Sequence, residues 1–301
     1  MRKMVKALIM NIKRMDLYPY KLLLPSIFFI SLVLLYPIIR TINLSFYYYK
    51  LTEPRNIHFI GLKNYFDALS SSNVWNGIKI ALLYCFGSVV GSYIIGLLVS
   101  LVLNLKSKFR GLFRSIIIIP WAVPEISTAI VFSWILDYQF GVLNFILRSL
   151  GIIEKNIGWL TDTRLALFSV TMATVWKMFP LASIMILAGL QTISEEQYEA
   201  AEIDGANYLQ KLFYITLPSI KSISQILLIL LTVWSFRKFN IIYLMTAGGP
   251  AQSTETIVIQ TYYEAFRYFN FGYASAIGVI TLLISLFITT MYFRLITLSK
   301  D

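Results

Sequence analysis

The sequence has few of the residues that build soluble active sites. Its 301 residues include one cysteine, Cys85, and one histidine, His58. These counts exclude a Cys/His zinc site and a disulfide framework, and they disfavour a Cys–His catalytic pair. Charged residues make up 14% of the chain, whereas soluble domains carry about 25%. This shortage of charge excludes an ordinary water-soluble enzyme and a disordered protein.

Apolar residues are abundant and make up 57% of the chain. A helix needs about 20 mostly apolar residues to cross a hydrocarbon core of about 30 Å. Segments of that kind occur at residues 22–46, 80–105, 115–136, 165–190, 220–245 and 268–293. We therefore predict an all-α integral membrane protein with six transmembrane helices, which form a single transmembrane domain over residues 1–301.

The positions of the basic residues predict the orientation of these helices. The N-terminal tail carries Arg2, Lys3, Lys6, Lys13 and Arg14, and the link between the second and third segments carries Lys106, Lys108, Arg110 and Arg114. Short loops rich in Lys and Arg stay in the cytoplasm. Six spans then place both termini in the cytoplasm, in a multi-pass protein of the cell (inner) membrane. Such loops explain the net charge of +11 better than nucleic-acid binding does.

A polar segment over residues 194–218 interrupts the apolar pattern. Ser194 and Gln197 fit a capping box, which predicts that a helix begins there. Gly205 predicts the end of that helix, because glycine adopts a left-handed conformation at low cost. A second short helix is expected over residues 207–214, and Pro218 marks the entry to the fifth span. These features alone describe a solvated loop between two membrane helices.

Eight residues within this segment form a pattern with defined spacing. They are Glu199, Ala200, Ala201, Asp204, Gly205, Ile215, Leu217 and Pro218. The pattern resembles the EAA loop of binding-protein-dependent ABC importers, in which nine residues separate the glycine from the Ile-x-Leu-Pro end. Residues 206–214 supply nine. The Asp-Gly-Ala form at residues 204–206 resembles the sugar-transporting branch of that family.

The resemblance extends over nearly the whole chain. Further similar segments lie at residues 59–65, 110–114, 120–124, 176–191, 242–250 and 271–276. Together, these segments resemble the permease subunit of maltose-type sugar importers, of the kind that pairs with a second permease.

The resemblance implies a division of labour among several subunits. This chain and a second homologous permease subunit form the membrane path, two ATPase subunits bind ATP, and an extracellular solute-binding protein delivers a sugar or related polyol. The loop over residues 194–218 forms a coupling helix that docks on an ATPase, and the permease pair alternates between inward-open and outward-open states. The chain is expected not to be an enzyme and to have no catalytic residue, metal or cofactor of its own. Its sequence contains no G-x-x-x-x-G-K-[ST] phosphate loop.

Three alternatives stay open at this point. The chain could be a permease for another solute class, a self-sufficient secondary transporter or an integral-membrane enzyme. A secondary transporter needs a coupling-ion site of its own, and no carboxylate cluster stands out in the predicted spans. The integral-membrane enzyme has little support, because the single histidine of the sequence, His58, falls in a predicted outer loop.

Polar residues in the predicted fourth and fifth spans are candidates for a solute cavity. An ionisable residue inside a membrane is costly, so it usually faces a cavity or a partner. The family resemblance implies that the middles of these two helices line the cavity, where aromatic rings stack on sugar rings. The candidates are Thr174, Trp176, Lys177, Ser235 and Lys238. In the structural alternative, tryptophan packs against its neighbours and the cations pair with Glu125 or a partner subunit. Because two of the candidates are positively charged lysines, an acidic saccharide stays an open alternative for the solute.

Overall fold

The protein is almost entirely helical, in agreement with the predicted all-α class. The structure is a computed structural model that describes residues 18–105 and 108–298. Its α-helices in chain order are α1 Tyr18–Ile30, α2 Tyr36–Leu44, α3 Lys63–Ser70, α4 Ser72–Asn104, α5 Arg110–Ile117, α6 Ile119–Ala122, α7 Glu125–Ile135, α8 Val142–Ser149, α9 Ala166–Leu190, α10 Glu195–Ile203, α11 Tyr208–Lys211, α12 Leu217–Ser219, α13 Lys221–Phe236, α14 Asn240–Thr246, α15 Ile257–Phe266 and α16 Phe271–Leu298.

Two short π-helical stretches and one small ribbon complete the regular structure. The π-helical stretches are Ser31–Leu35 and Leu212–Thr216. The ribbon is antiparallel and pairs β1 Tyr47–Tyr48 with β2 His58–Phe59, so that Tyr47 lies opposite Phe59. It stands at the end of the first apolar helix, where the sequence has a run of aromatic residues.

Four stretches of helix are long and apolar enough to cross a membrane. They are Leu22–Leu44, Ser72–Asn104, Ala166–Leu190 and Phe271–Arg294. Two further pairs qualify only as bent units, Arg110–Ala122 with Glu125–Ile135 and Tyr208–Ser219 with Lys221–Phe236. The described chain therefore has four spans, or six if each bent pair is one span. We refer to the six in chain order as the first to the sixth span.

The third and fifth spans depart from the uninterrupted helices predicted over residues 115–136 and 220–245. The third span bends by 91°, because Pro124 offers no backbone N–H and disfavours helical geometry in the residue before it. Val123 accordingly has an extended ψ of 132°. The fifth span bends by 70° before Lys221, and its main helix ends at Phe236 rather than continuing through residue 245.

The core of the molecule lies where the second, fourth and fifth spans meet. α4 and α9 pack along much of their length. A Cβ added at Gly91 would lie 2.7 Å from Val175 Cγ2, and one added at Gly96 would lie 2.6 Å from Ala182 Cβ. The glycines therefore permit the close approach of these two helices, as small residues do in membrane proteins.

Large apolar side chains cover much of the outer surface. None of the apolar window of the first span is buried, and rings such as Phe86 and Phe287 are exposed. A protein in water rarely leaves so extensive an apolar surface uncovered. Together with the long apolar helices, this surface identifies a multi-pass membrane protein. The basic tail and Lys106, on which the predicted orientation depends, lie outside the described residues.

Candidate functional site

An open cavity of about 660 Å³ lies at the bend of the third span. Residues from the third, fourth and fifth spans line it. Its polar and aromatic lining includes Trp121, Glu125, Lys177, Trp234, Arg237, Lys238 and Asn240. A concave site with aromatic walls and a few polar groups is the usual form of a small-molecule site. We call it the central cavity.

An ion pair links two of the spans that line the central cavity. Lys238 Nζ lies 2.6 Å from Glu125 Oε1, and the side chain of Lys238 is only 7% exposed. Asn240 Nδ2 donates to the second carboxylate oxygen of Glu125 at 3.2 Å. Because Glu125 begins α7 and Lys238 follows α13, this network joins the bend of the third span to the end of the fifth.

Lys177 has a different set of partners at the same bend. Its ammonium group donates to the carbonyl oxygen of Trp121 at 3.1 Å and also to that of Val123. The last carbonyls of a helix have no helical donor, and a cation near them is favourable. Lys177 is 5% exposed. It therefore satisfies buried backbone acceptors that the bend of the third span leaves available.

The other three residues predicted for the cavity do not line it. Thr174 is fully buried and shares a hydrogen bond with the hydroxyl of Tyr84. Trp176 packs edge-on against Phe132 at a centroid distance of 5.3 Å. Ser235 is buried, and its carbonyl accepts a hydrogen bond from the backbone N–H of Lys238.

The cavity lining also contains residues that were not among the predicted candidates. Trp121 and Glu125 are placed there by the bend of the third span, while Trp234, Arg237 and Asn240 flank Lys238 in sequence. Pro124 signalled the bend, but its direction depends on packing against other spans. The end of α13 at Phe236 turns the following residues inward, and no residue in that stretch is a strong helix breaker.

A second candidate site is the segment over residues 194–218, which we call the coupling loop; it follows the fourth span and includes most of the first helix segment of the bent fifth unit. Its first helix is α10, which begins just after Ser194. The capping box predicted for Ser194 and Gln197 is wrong, since the Ser194 side chain makes no capping hydrogen bond. A capping box occurs instead at the second helix, where Asn207 and Gln210 exchange hydrogen bonds of 2.7 and 2.9 Å.

Gly205 ends the first helix of the coupling loop in the predicted left-handed conformation. Its φ is +80°. The N–H of Ala206 donates to Ala201 O at 2.8 Å, and that of Gly205 donates to Glu202 O at 3.0 Å. This pair of hydrogen bonds is the Schellman arrangement, which satisfies the carbonyls at a helix end. A Cβ at Gly205 would meet no other atom of the described chain within 4 Å.

The two helices of the coupling loop are held together by side chains. Lys211 Nζ lies 2.6 Å from Glu202 Oε1, and Tyr198 shares a hydrogen bond of 2.9 Å with Thr216. A groove of about 360 Å³ lies between them. Its lining includes four residues of the predicted pattern, Ala201, Asp204, Gly205 and Ile215.

The outer surface of the coupling loop is unusually apolar for a polar segment. Ile203 is 88% exposed, and Tyr208, Leu209, Phe213 and Tyr214 are exposed as well. Glu199 and Ala200 are exposed on the same helix as Ile203, whereas Leu217 is half-buried and Pro218 is exposed at the start of the next span. Exposed apolar patches rimmed by polar residues mark surfaces that bind another protein or a membrane.

These features together define a component of membrane transport. Residues 92–297 match the family described as the binding-protein-dependent transport system inner membrane component. The chain therefore belongs to this family of ABC importer permeases.

Similar proteins include permeases of several sugar transport systems. The chain is 34% identical over 284 residues to the sulfoquinovosyl glycerol transport system permease protein SmoG of Agrobacterium fabrum, covering 93% of this chain and 90% of that protein. It is 35% identical over 285 residues to the trehalose/maltose transport system permease protein MalF of Thermococcus litoralis, covering 94% of each.

A solved structure has the same fold. It is a bacterial ABC transporter involved in the import of the acidic polysaccharide alginate, and a chain of it aligns with a TM-score of 0.78 and 26% identity. The alignment covers 96% of this chain and 99% of that one.

Proposed function

We propose that this chain is the transmembrane permease subunit of an ATP-driven importer for a sugar or related polyol. The solute passes from an extracellular binding protein into the cytoplasm by alternating access. The observation that carries the proposal is the central cavity, whose ion pair and aromatic walls lie at a bend between spans. The similarity to SmoG and MalF supports a saccharide as the solute.

The central cavity has the chemistry to bind hydroxyl groups. The carboxylate of Glu125 accepts hydrogen bonds, while Lys238 and Asn240 donate them, so neighbouring hydroxyls of a sugar find both kinds of partner. Trp121 and Trp234 offer apolar ring surfaces for the sugar ring. Lys177 keeps its position on the backbone of the bend and preserves the shape of the cavity.

The remaining subunits supply the driving force. The name of the family specifies dependence on a binding protein. We propose a second homologous permease, two ATPase subunits that bind ATP, and a solute-binding protein as partners. In this arrangement the ATPase subunits bind the ATP, and this chain contributes no ATPase site. Glu199 and the apolar face around Ile203 dock on an ATPase, and Gly205 sets the direction in which the coupling loop leaves its first helix.

We propose the orientation that the basic residues predict. Both termini and the coupling loop face the cytoplasm, and the mouth of the central cavity faces the outside when the solute enters.

Uptake by the reconstituted transporter tests this function. The probe is the radiolabelled form of the saccharide that remains bound to the cognate binding protein on purification. We expect uptake into proteoliposomes only when both permeases, the ATPase subunits, the loaded binding protein and ATP are present. Uptake by the permeases alone, driven by an ion gradient, would identify a secondary transporter and contradict the proposal.

A further inference from the structure

A groove of about 460 Å³ lies next to the central cavity, between α15 and α16. Arg237 and Phe239 line both the groove and the central cavity. The groove is also lined by Tyr262 and Phe266 of α15 and by Gly278 of α16. The two spaces are therefore adjacent and share these two side chains.

Aromatic rings form a row along this groove and beyond it. The row runs from Phe239 to Tyr262 at 5.0 Å between ring centroids, and from Tyr262 to Phe266 at 5.2 Å. It continues to Phe271 at 6.1 Å and to Tyr49 at 5.7 Å, next to the small ribbon. The row connects the central cavity with the side of the molecule that carries the ribbon.

The rings of the row are not ordinary core residues. Phe266 is exposed and the others are half-buried, whereas the rings of a packed core are covered. Aromatic residues at a membrane interface form a belt around the protein, but these rings follow one path that begins in the central cavity. Phe239, Tyr262 and Phe266 line the groove, so part of the free surface of these three rings faces a space that a ligand can occupy.

Polar groups accompany the rings. Thr261 and Thr281 line the groove and donate to carbonyls of their own helices at 2.7 and 2.8 Å, which leaves their oxygen atoms as acceptors. Arg237 is exposed where the two spaces join, and it makes no ion pair within residues 18–105 and 108–298. Ring surfaces with a few donors and acceptors match a saccharide, which has apolar ring faces and a rim of hydroxyls.

We infer that the groove is a second saccharide subsite, which holds a further sugar ring of the solute whose first ring occupies the central cavity. The inference rests on the proposed function and adds the size of its solute: a saccharide of two or more rings. Arg237 stands at the junction and donates to the linkage or to the hydroxyls beside it.

Three variants alter the groove at residues that do not line the central cavity. Tyr262→Ala and Phe266→Ala delete rings of the row. Gly278→Leu fills the groove, since a Cβ at Gly278 meets only Thr261, at 3.9 Å, and leucine is a better helix former than glycine. Phe266→Trp keeps a ring surface. Phe287→Ala is the matched control, because Phe287 is an exposed ring of α16 that lines neither space.

The complete transporter in proteoliposomes provides the test. The probes are labelled glucose and maltotriose as neutral saccharides, and guluronate and its trimer as acidic ones. We expect each groove variant to lower the uptake rate of the transported trisaccharide about five- to tenfold, with a much smaller effect on its monosaccharide. Phe266→Trp and Phe287→Ala retain the rate of the unaltered transporter.

The outcomes separate the two proposals. If trisaccharide uptake is unchanged in the groove variants, or falls equally in Phe287→Ala, the subsite is rejected while the proposed function stands. Transport of monosaccharides alone by the unaltered complex also rejects the subsite. If the unaltered complex takes up neither these probes nor the saccharide retained by its binding protein in the presence of ATP, the proposed function fails and the subsite fails with it.

Discussion

At the scale of single residues, Lys177 and Lys238 show how two lysines in one cavity differ in role. Lys238 faces a carboxylate, Glu125, whereas Lys177 faces backbone carbonyls of the bend. A charged ligand can exchange with a side-chain partner more readily than with a fixed backbone one. We therefore expect Lys238 to take the direct part in binding and Lys177 to act as a positioning residue for the bend.

The ion pair leads to a prediction about stability. Lys238→Met leaves the carboxylate of Glu125 without its cation inside the bundle. We expect a loss of about 2 kcal/mol in stability, because an unpaired charge in a buried setting is costly and the partial exposure of Glu125 reduces that penalty. Thermal unfolding of the purified permease in detergent measures it.

The double variant Glu125→Gln/Lys238→Met serves as the control for this prediction. It removes both charges, so most of the lost stability should return while solute uptake stays impaired. If the single and double variants unfold at the same temperature, the two groups are not energetically coupled.

At the scale of helices and loops, the coupling loop depends on one backbone conformation. Gly205→Val should cost on the order of 1 kcal/mol within the loop, because φ is +80° there and a side chain at positive φ is strained. We expect fewer co-purified ATPase subunits and reduced uptake, with normal membrane insertion. Gly111→Val is the matched control, since Gly111 lies in a helix with open space around it. Equal losses in both variants would show that the backbone of Gly205 has no special part in docking.

The same scale shows how far sequence reasoning extends. Apolar runs predict the continuous spans well, because the requirement for backbone hydrogen bonds in lipid acts over some 20 residues at once. Pro124 also signals a bend. The angle of that bend, and the fact that Lys177 reaches the carbonyl of Val123 from 54 residues away, follow from packing among three spans. The lysines could therefore be nominated for the cavity from sequence, and Glu125 could be named as a partner of the cations, but the backbone partners of Lys177 could not be assigned.

At the scale of the whole molecule, the fourth span determines on which side of the membrane each of its two flanking segments lies. α9 has 25 residues, which extends about 38 Å at 1.5 Å per residue and is enough to cross a membrane. We therefore expect the segment before α9 and the coupling loop after it to lie on opposite sides of the membrane. The predicted orientation puts the coupling loop inside, where an ATPase can reach it.

Cysteine labelling in intact cells tests that orientation. With Cys85 replaced by alanine, Ile203→Cys and Phe140→Cys each introduce one thiol at a position that is 88% or 87% exposed. A membrane-impermeant reagent should label Phe140→Cys from outside and Ile203→Cys only after the membrane is permeabilised. The cysteine-free chain controls for background labelling. The reverse pattern in intact cells would invert the orientation and remove the coupling loop from the ATPase, while labelling of both positions from outside would show that α9 does not cross the membrane.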